Sequence, residues 1–220
     1  VETHLSEGDL LPTEKELSEQ LGLSRTVIRE ALNGFESLGI IEAKHGVGRF
    51  LKRFDFRAIV DNIPHGFLAD KESFRDLLEV RVSLEATFLA RDLHKITPED
   101  IEELEAKLAQ MGELIREESD EERLIRAHAD FHRLLFKRSN NTLLTDLVNM
   151  FSMVQSKLNA RHEYMTRDRD RFLLMHRRLL DAIEGKDFEK VRKCMTEHYA
   201  EPVDWLRSEG IEIEIPGTPE

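Results

Sequence analysis

Apolar side chains recur at helical spacing in two short runs near the start of the chain. Residues 13–21 form the first run, and Thr13 stands where a helix N-cap is favoured. Residues 25–38 form the second run, with Ser24 as its N-cap. A glycine follows each run, as is common just beyond a helix end. The pattern therefore predicts two short helices joined by a tight turn.

A different period follows the second helix. Residues 40–44 and 49–51 are indicative of short strands, and residues 45–48 between them contain the two glycines of a hairpin turn. Two helices joined by a tight turn and followed by a hairpin make a winged helix-turn-helix. We assign this unit to residues 1–57.

Beyond residue 58 the strand signals stop and long helical periods take over. Short connections between such helices favour antiparallel packing. We therefore expect a mainly α protein, in which an antiparallel helical bundle over residues 58–209 follows the winged unit and residues 210–220 form a peripheral or disordered tail. The predicted helices lie near 56–69, 73–93, 98–118, 121–139, 142–163, 168–185 and 187–208.

Charge is distributed unevenly along the 220 residues. The net charge of −12 argues against a nucleic-acid partner, yet residues 24–53 carry six basic and three acidic side chains. This local surplus can support phosphate contacts. The single cysteine, Cys194, excludes an internal disulfide. With no bilayer-length apolar run and no signal peptide, the expectation is a cytoplasmic protein without a membrane partner.

The second helix is the element expected to enter a DNA major groove. We expect Val27 and Ile28 to face the core of the small unit, so that Arg25, Thr26 and Arg29 project outward. Arginine can pair with guanine through two hydrogen bonds, and threonine can contact a phosphate or a thymine methyl. The alternative is a solvated charged face with no nucleic-acid partner.

Three runs in this region resemble the DNA-binding domain of GntR-type bacterial transcription regulators: Leu11-Pro12-Thr13-Glu14-Lys15-Glu16-Leu17, Leu21 through Leu32, and Leu38-Gly39-Ile40-Ile41. The resemblance implies a homodimer that reads a short palindrome in double-stranded operator DNA. Many members have arginine at the position of Lys15, and lysine is better suited to a phosphate than to a base. The expected DNA contacts are Lys15, Ser24, Arg25, Thr26, Arg29, His45 and Gly46.

Four histidines form the second candidate site. His128 and His132 are one helical turn apart, so both imidazoles share a face of their helix. His176 and His198 each stand near the middle of a later predicted helix. Three helices can therefore direct nitrogen ligands at one point inside the bundle. For any single histidine, the usual alternative is a surface residue or a hydrogen-bonded core residue.

Several runs in the second unit are typical of one family: Leu78-Glu79-Val80-Arg81 with Leu84-Glu85, Phe131-His132 with Ser139-Asn140-Asn141, His176 through Ala182-Ile183, and His198. With these runs, the unit resembles the all-helical FCD effector domain of the FadR subfamily. Metal-binding members typically use one aspartate and three histidines, which implies His132, His176 and His198 as ligands here. The aspartate position is His128 in this chain, and Asp130 lies about 200° around the helix from His132. We therefore expect His128 as the fourth ligand. Nitrogen donors suit transition metals, with zinc or nickel favoured, and suit Mg²⁺ and Ca²⁺ badly.

The same resemblance implies that the metal helps to hold a small carboxylate effector, which Arg81 can pair with. The alternative for Arg81 is a salt bridge with Glu85, four residues later. The leading hypothesis is a ligand-responsive transcription regulator, expected to be a repressor. Two alternatives stay open: a metal-sensing regulator, and a metalloenzyme in which Glu85 or Glu197 acts as general base. The His128–His132 pair lacks the glutamate of the HExxH motif, because position 129 is alanine.

Overall fold

The computed structural model describes residues 5–53, 60, 70–117, 121–162 and 168–215. The chain forms two compact units, Val1–Asn62 and Ile63–Glu220. Within the described ranges, no helix is both long and apolar enough to cross a membrane. The helix predicted near 56–69 lies outside the described residues, apart from Val60.

The first unit contains two helices and one hairpin. Helix α1 spans Glu14–Leu21 and helix α2 spans Arg25–Ser37. Strands β1 (Ile41–Lys44) and β2 (Gly48–Leu51) pair antiparallel around a short turn. The predicted winged helix-turn-helix is confirmed.

Local hydrogen bonds explain where the two helices begin and where the first one ends. Thr13 and Glu16 form a capping box at the start of α1, with each side chain accepting the other's backbone N–H at 3.3 and 2.7 Å. The Ser24 hydroxyl accepts the backbone N–H of Val27 at 3.4 Å. Gly22 adopts a left-handed conformation with φ of 66°, which glycine tolerates without strain. The turn between α1 and α2 is therefore set by these few residues.

One face of α2 carries the core of the small unit. Ile28 is 4% exposed and packs with Leu32 and Ile41. The prediction that Val27 also faces this core is wrong, because its side chain is 46% exposed. Residue 27 lies about 100° around the helix from residue 28, outside the stripe of α2 that packs against α1 and the hairpin.

The second unit consists of seven described helices. Helix α3 packs on α6 and α8, α4 packs on α5 and α7, α5 packs on α6, and α7 packs on α8. The predicted helical bundle is confirmed. The bounds are α3 Lys71–Asp92, α4 Pro98–Arg116, α5 Glu121–Leu135, α6 Thr142–His162, α7 Arg169–Glu184, α8 Phe188–Glu197 and α9 Ala200–Ser208, with a 3₁₀ turn at Leu93–Lys95 after α3.

The single helix predicted over 187–208 is divided into α8 and α9. Pro202 has no N–H to donate to the carbonyl of His198, four residues earlier, and its ring would clash with that carbonyl. The chain therefore turns at His198 and Tyr199 before α9 begins. The break places three chemically active side chains, His198, Tyr199 and Glu201, at the junction of α8 and α9.

The segment after α9 packs on the helical unit. Ile213 and Ile215 are 6% and 5% exposed, and the backbone N–H of Glu214 donates to Glu79 on α3 at 3.4 Å. Residues 211–215 of the predicted peripheral or disordered tail are therefore ordered against α3. Alternating isoleucine and glutamate gives this extended segment one apolar face, and that face is buried.

Candidate metal centre and DNA-reading helix

The four predicted histidines meet inside the helical unit. His128 and His132 extend from α5, His176 from α7, and His198 from the end of α8. All four side chains are buried, and one ring nitrogen of each lies within 4.8 Å of the others. The Nε2 atom of His132 is 3.2 Å from that of His128 and 3.1 Å from that of His198.

Hydrogen bonds fix the protonation of two of these rings. Nδ1 of His132 lies 2.9 Å from a carboxylate oxygen of Glu85, and Nδ1 of His176 lies 2.7 Å from the carbonyl oxygen of Phe172. A carboxylate and a carbonyl can only accept, so both imidazoles carry their proton on Nδ1. The lone pair of each ring is then on Nε2, as in histidines that bind metal.

The cluster fits a transition-metal ion. Nε2 of His176 is buried and has no hydrogen-bond partner, although buried polar atoms are normally paired. Two nitrogens bound to one zinc ion at ~2.0–2.1 Å lie roughly 2.9–3.4 Å apart, which matches the spacing around His132. Four imidazoles suit zinc, nickel, cobalt or copper and do not suit Mg²⁺ or Ca²⁺.

Burial keeps the four imidazoles neutral. It lowers the pKa of His176 to about 3, against a smaller opposing effect of the Phe172 carbonyl. It also lowers the pKa of His132, and it lowers the pKa values of His128 and His198 well below the usual value, with the neighbouring histidines adding to the effect. Neutral imidazole is the form that binds metal, so the folded site has its ligands ready at neutral pH.

Glu85 lies at the centre of a buried hydrogen-bond network behind His132. It also accepts from the Tyr199 hydroxyl at 2.6 Å and from the Arg81 guanidinium at 2.8 Å. Burial alone would raise the pKa of Glu85, but Arg81 and the hydrogen bonds outweigh it and hold the pKa at about 2. A fully paired, ionised carboxylate orients His132 and is a poor general base.

Arg81 lies in this network. Its guanidinium is buried, pairs with Glu85, donates to the amide oxygen of Gln155 and lies 5.2 Å from the ring centre of Tyr199. The salt bridge with Glu85 considered from the sequence is therefore present. A direct contact between Arg81 and an effector stays a prediction.

Asp130 is not part of the histidine cluster. Its carboxylate pairs with Lys107 at 3.0 Å and with Arg133, and it is partly exposed. The helix geometry accounts for this placement, because residue 130 faces away from His132. Among the described residues, the group that could hold an ion contains His128 in the place where an aspartate was expected.

A small cavity adjoins the cluster on the side of His128, His176 and His198. The volume open to the centre of a water molecule is about 20 Å³, so the cavity can hold one water molecule. The other lining residues are Gln155, Phe172, Met175, Tyr199, Glu201 and Pro202. No local sequence pattern links these six residues, because only the packing of α6, α7 and the junction of α8 with α9 brings them together.

Helix α2, the predicted DNA-reading helix, presents its expected DNA contacts to solvent. Arg25 and Thr26 are exposed, and no ion pair of Arg25 is found among the described residues. Arg29 is held by Glu14, at 3.1 Å from Nε and 2.8 Å from Nη2. Hydrogen bonds from Arg29 and then Arg49 lower the pKa of Glu14. Arg25 is thus available to a base, whereas Arg29 must leave or share Glu14.

The remaining predicted DNA contacts are also in the first unit. Lys15 is exposed and lies 3.9 Å from Glu19. Ser24 caps α2, so its hydroxyl proton is still available to a phosphate. His45 and Gly46 form the exposed wing turn, where Gly46 has φ of 73°.

We expect Glu85→Gln to weaken zinc binding by about 10–100-fold, because residues that orient a metal-ligating histidine have effects of this size. The amide cannot replace a carboxylate that accepts from three donors at once. Zinc affinity is measured by competition with a chromophoric chelator. Glu105→Gln, which removes a surface carboxylate paired with Arg177 at 2.8 Å, is the matched control. Equal affinities for the two variants would contradict the orienting role.

Comparison with known proteins assigns a family to both units. The pattern described as "Bacterial regulatory proteins, gntR family" matches residues 1–51. The pattern of the FCD domain matches residues 76–201, more than half of the chain.

The chain is similar to the HTH-type transcriptional regulator LutR of Bacillus subtilis, with 30% identity over 92% of this chain and 93% of LutR. It is 29% identical to the "Putative L-lactate dehydrogenase operon regulatory protein" of Escherichia coli, over 90% of this chain and 78% of that protein. A solved structure, Streptococcus agalactiae GntR, shares the fold with a TM-score of 0.60, 24% identity and coverage of 93% and 91%.

These relatives are named as regulators and not as enzymes, so the metalloenzyme alternative is set aside. The GntR pattern covers the winged helix-turn-helix, and the FCD pattern covers the helices that carry the histidines. The chain belongs to the GntR family of bacterial transcription regulators, and its FCD domain places it in the FadR-like subfamily.

Proposed function

We propose that this DNA-binding regulator responds to a small carboxylate held at a transition metal in its helical unit. The observation that carries the proposal is the convergence of four neutral, buried imidazoles beside a cavity. His128, His132, His176 and His198 would hold the ion, and zinc or nickel suits their nitrogen donors best. A bound ion would supply a positive centre that attracts an anionic oxygen ligand.

The charge of the ion and the size of the cavity indicate the chemical class of the effector. Four neutral imidazoles leave both positive charges of a divalent ion uncompensated, which favours an anion. The relative named for an L-lactate dehydrogenase operon supports a small hydroxy acid as the candidate. Since the cavity has room for only about one water molecule, an effector would have to displace lining side chains such as Phe172 and Met175.

That displacement offers a route from effector to DNA. Phe172, Met175 and His176 belong to α7, and His198 and Glu201 flank the break between α8 and α9. In a homodimer, movement of these helices would alter the placement of the two DNA-reading helices and therefore the fit to two half-sites. Arg25, Thr26 and Arg29 would contact the operator. We expect the protein to repress transcription when it is bound there.

A metal-sensing regulator is the second candidate. The observation that favours it is the small size of the cavity, because four protein ligands and one water molecule can complete an ion's coordination without an effector. In that case, the occupancy of the metal site would itself set the affinity for DNA.

One titration distinguishes the two candidates. Operator DNA is selected from a random pool on the immobilised protein, labelled, and titrated with zinc-loaded and chelator-treated protein, each with and without L-lactate and, as a neutral control, lactamide. An effector role predicts that lactate shifts the affinity of the zinc-loaded protein by roughly 5–150-fold, while lactamide does not. If only chelation shifts the affinity, the ion is the signal. Failure to select any DNA would overturn both.

A further inference from the structure

Among the described residues, the Glu201 carboxylate has one oxygen atom that accepts no hydrogen bond. It lies in the first turn of α9, one residue before Pro202, and lines the cavity together with His128, His176 and His198. Its Oε1 atom is buried and has no hydrogen-bond partner. A buried carboxylate oxygen without a donor is unfavourable, so this position calls for a partner from outside the chain.

The surroundings of Glu201 offer little compensation for its charge. Burial raises the pKa of Glu201 to about 8, and Asp168 and Asp204 add to this rise against the opposing effect of Arg171. A cation in the cavity would reverse that balance, because a nearby positive charge stabilises the ionised carboxylate.

The other carboxylates near the cluster are already engaged. Glu85 is on the far side of His132 and is neutralised by Arg81. Asp130 pairs with Lys107 and Arg133. Of these three carboxylates, Glu201 alone lines the cavity. It is therefore the carboxylate placed to supply the negative charge that an aspartate at position 128 would have contributed.

We propose that Glu201 supplies an oxygen ligand to the metal ion on the cavity side of the four histidines, and that a small carboxylate effector competes with it for that position. This inference rests on the proposed function, since it requires an ion in the cluster. It adds a fifth ligand of a different chemical type and an internal competitor for the effector.

The fold explains how Glu201 reaches this place. Pro202 ends the helical path at His198, and the new helix starts two residues later. His198 thus faces the cluster while Glu201, three residues on, reaches the cavity beside it. The group of ring nitrogens within 4.8 Å of one another does not include Glu201, so its carboxylate has to rotate toward the ion, into the space that the cavity provides.

Cobalt binding to the full chain tests the proposal, because bound Co²⁺ absorbs visible light with a band shape that depends on its ligands. We expect Glu201→Gln to lower Co²⁺ affinity by roughly tenfold or more, at least the effect of residues that only orient a ligand. The absorption band should change as the oxygen ligand is lost, and L-lactate should bind the cobalt-loaded variant more tightly than the wild type.

The matched control is Glu189→Gln, which makes the same Glu-to-Gln change at an exposed position in the first turn of α8. It should leave both affinity and band shape unchanged. Equal Co²⁺ affinity in Glu201→Gln and wild type, or weaker affinity with an unchanged band, would overturn the proposal while the histidine site stands. Absence of any cobalt band in the wild type would overturn the proposed function as well.

Discussion

Replacing His132 by alanine should abolish stoichiometric zinc binding and lower zinc affinity by more than about 100-fold, beyond the usual effect of residues that only orient a ligand. His132 lies at the centre of the cluster, with the Nε2 atoms of His128 and His198 within 3.2 Å of its own Nε2. The wild type should gain about 4 kcal/mol of unfolding free energy when zinc is present at 1,000 times its dissociation constant, and the variant should gain almost none. Zinc content and thermal unfolding with and without zinc are the measurements.

Two further variants keep this prediction decisive if His132→Ala folds poorly. His94→Ala removes an exposed imidazole of the same unit, whose Nδ1 lies 3.1 Å from the carbonyl oxygen of Arg91, and should retain zinc fully. His128→Asp restores the carboxylate that the family pattern places there and should keep the metal while improving Mn²⁺ binding, because an oxygen ligand suits harder ions. Zinc retained at one equivalent by His132→Ala would contradict the assignment of the site.

Replacing Arg25 by alanine should weaken operator binding by roughly 10–100-fold for each half-site, the usual value of a bidentate arginine–guanine contact. Arg25 begins the DNA-reading helix, is exposed, and shows no competing ion pair among the described residues, unlike Arg29 with its Glu14 partner. Affinity for random DNA should fall much less. The measurement is fluorescence anisotropy with operator and random duplexes at the same salt concentration.

The matched control for Arg25 is Arg192→Ala. It removes the same charge from an exposed position of α8 in the helical unit. If Arg25→Ala weakens operator and random DNA equally, Arg25 contacts phosphate and not a base. If the two variants behave alike, the loss is one of overall charge, and the assignment of α2 as the reading helix is wrong.

The winged helix-turn-helix was predictable because its signals are local. Thr13 and Ser24 cap their own helices, and Gly22 adopts the conformation that the turn needs. The burial of α2 was less predictable. Val27 and Ile28 are adjacent apolar residues, and the packing of α1 and the hairpin on one face of α2 decides which of them is buried.

The histidine cluster was partly predictable. The i, i+4 spacing of His128 and His132 places them on one face, but only the family resemblance linked them to His176 and His198, and the structure brings all four together. No local sequence pattern predicts that Glu85 accepts a hydrogen bond from His132 or that Glu201 lines the cavity. Glu85 reaches His132 across 47 residues of sequence, and such a contact depends on the packing of α3 against the bundle.

The break between α8 and α9 has a local signal in the sequence, although the helical period alone predicts one helix over 187–208. A proline inside a helical period is a recognised stop signal, and Pro202 stands four residues after His198. This signal predicts that His198 and Glu201 lie near a helix end. The burial of Ile213 and Ile215, in contrast, depends on the surface of α3 that receives them.

Anomalous X-ray scattering from a crystal of the zinc-supplemented protein, measured on both sides of the zinc absorption edge, tests the metal centre most directly. We expect one strong anomalous peak at full occupancy, ~2.0–2.1 Å from Nε2 of His128, His132, His176 and His198. A protein without such a peak, in which the four Nε2 atoms are bridged by hydrogen bonds or water, would contradict the account.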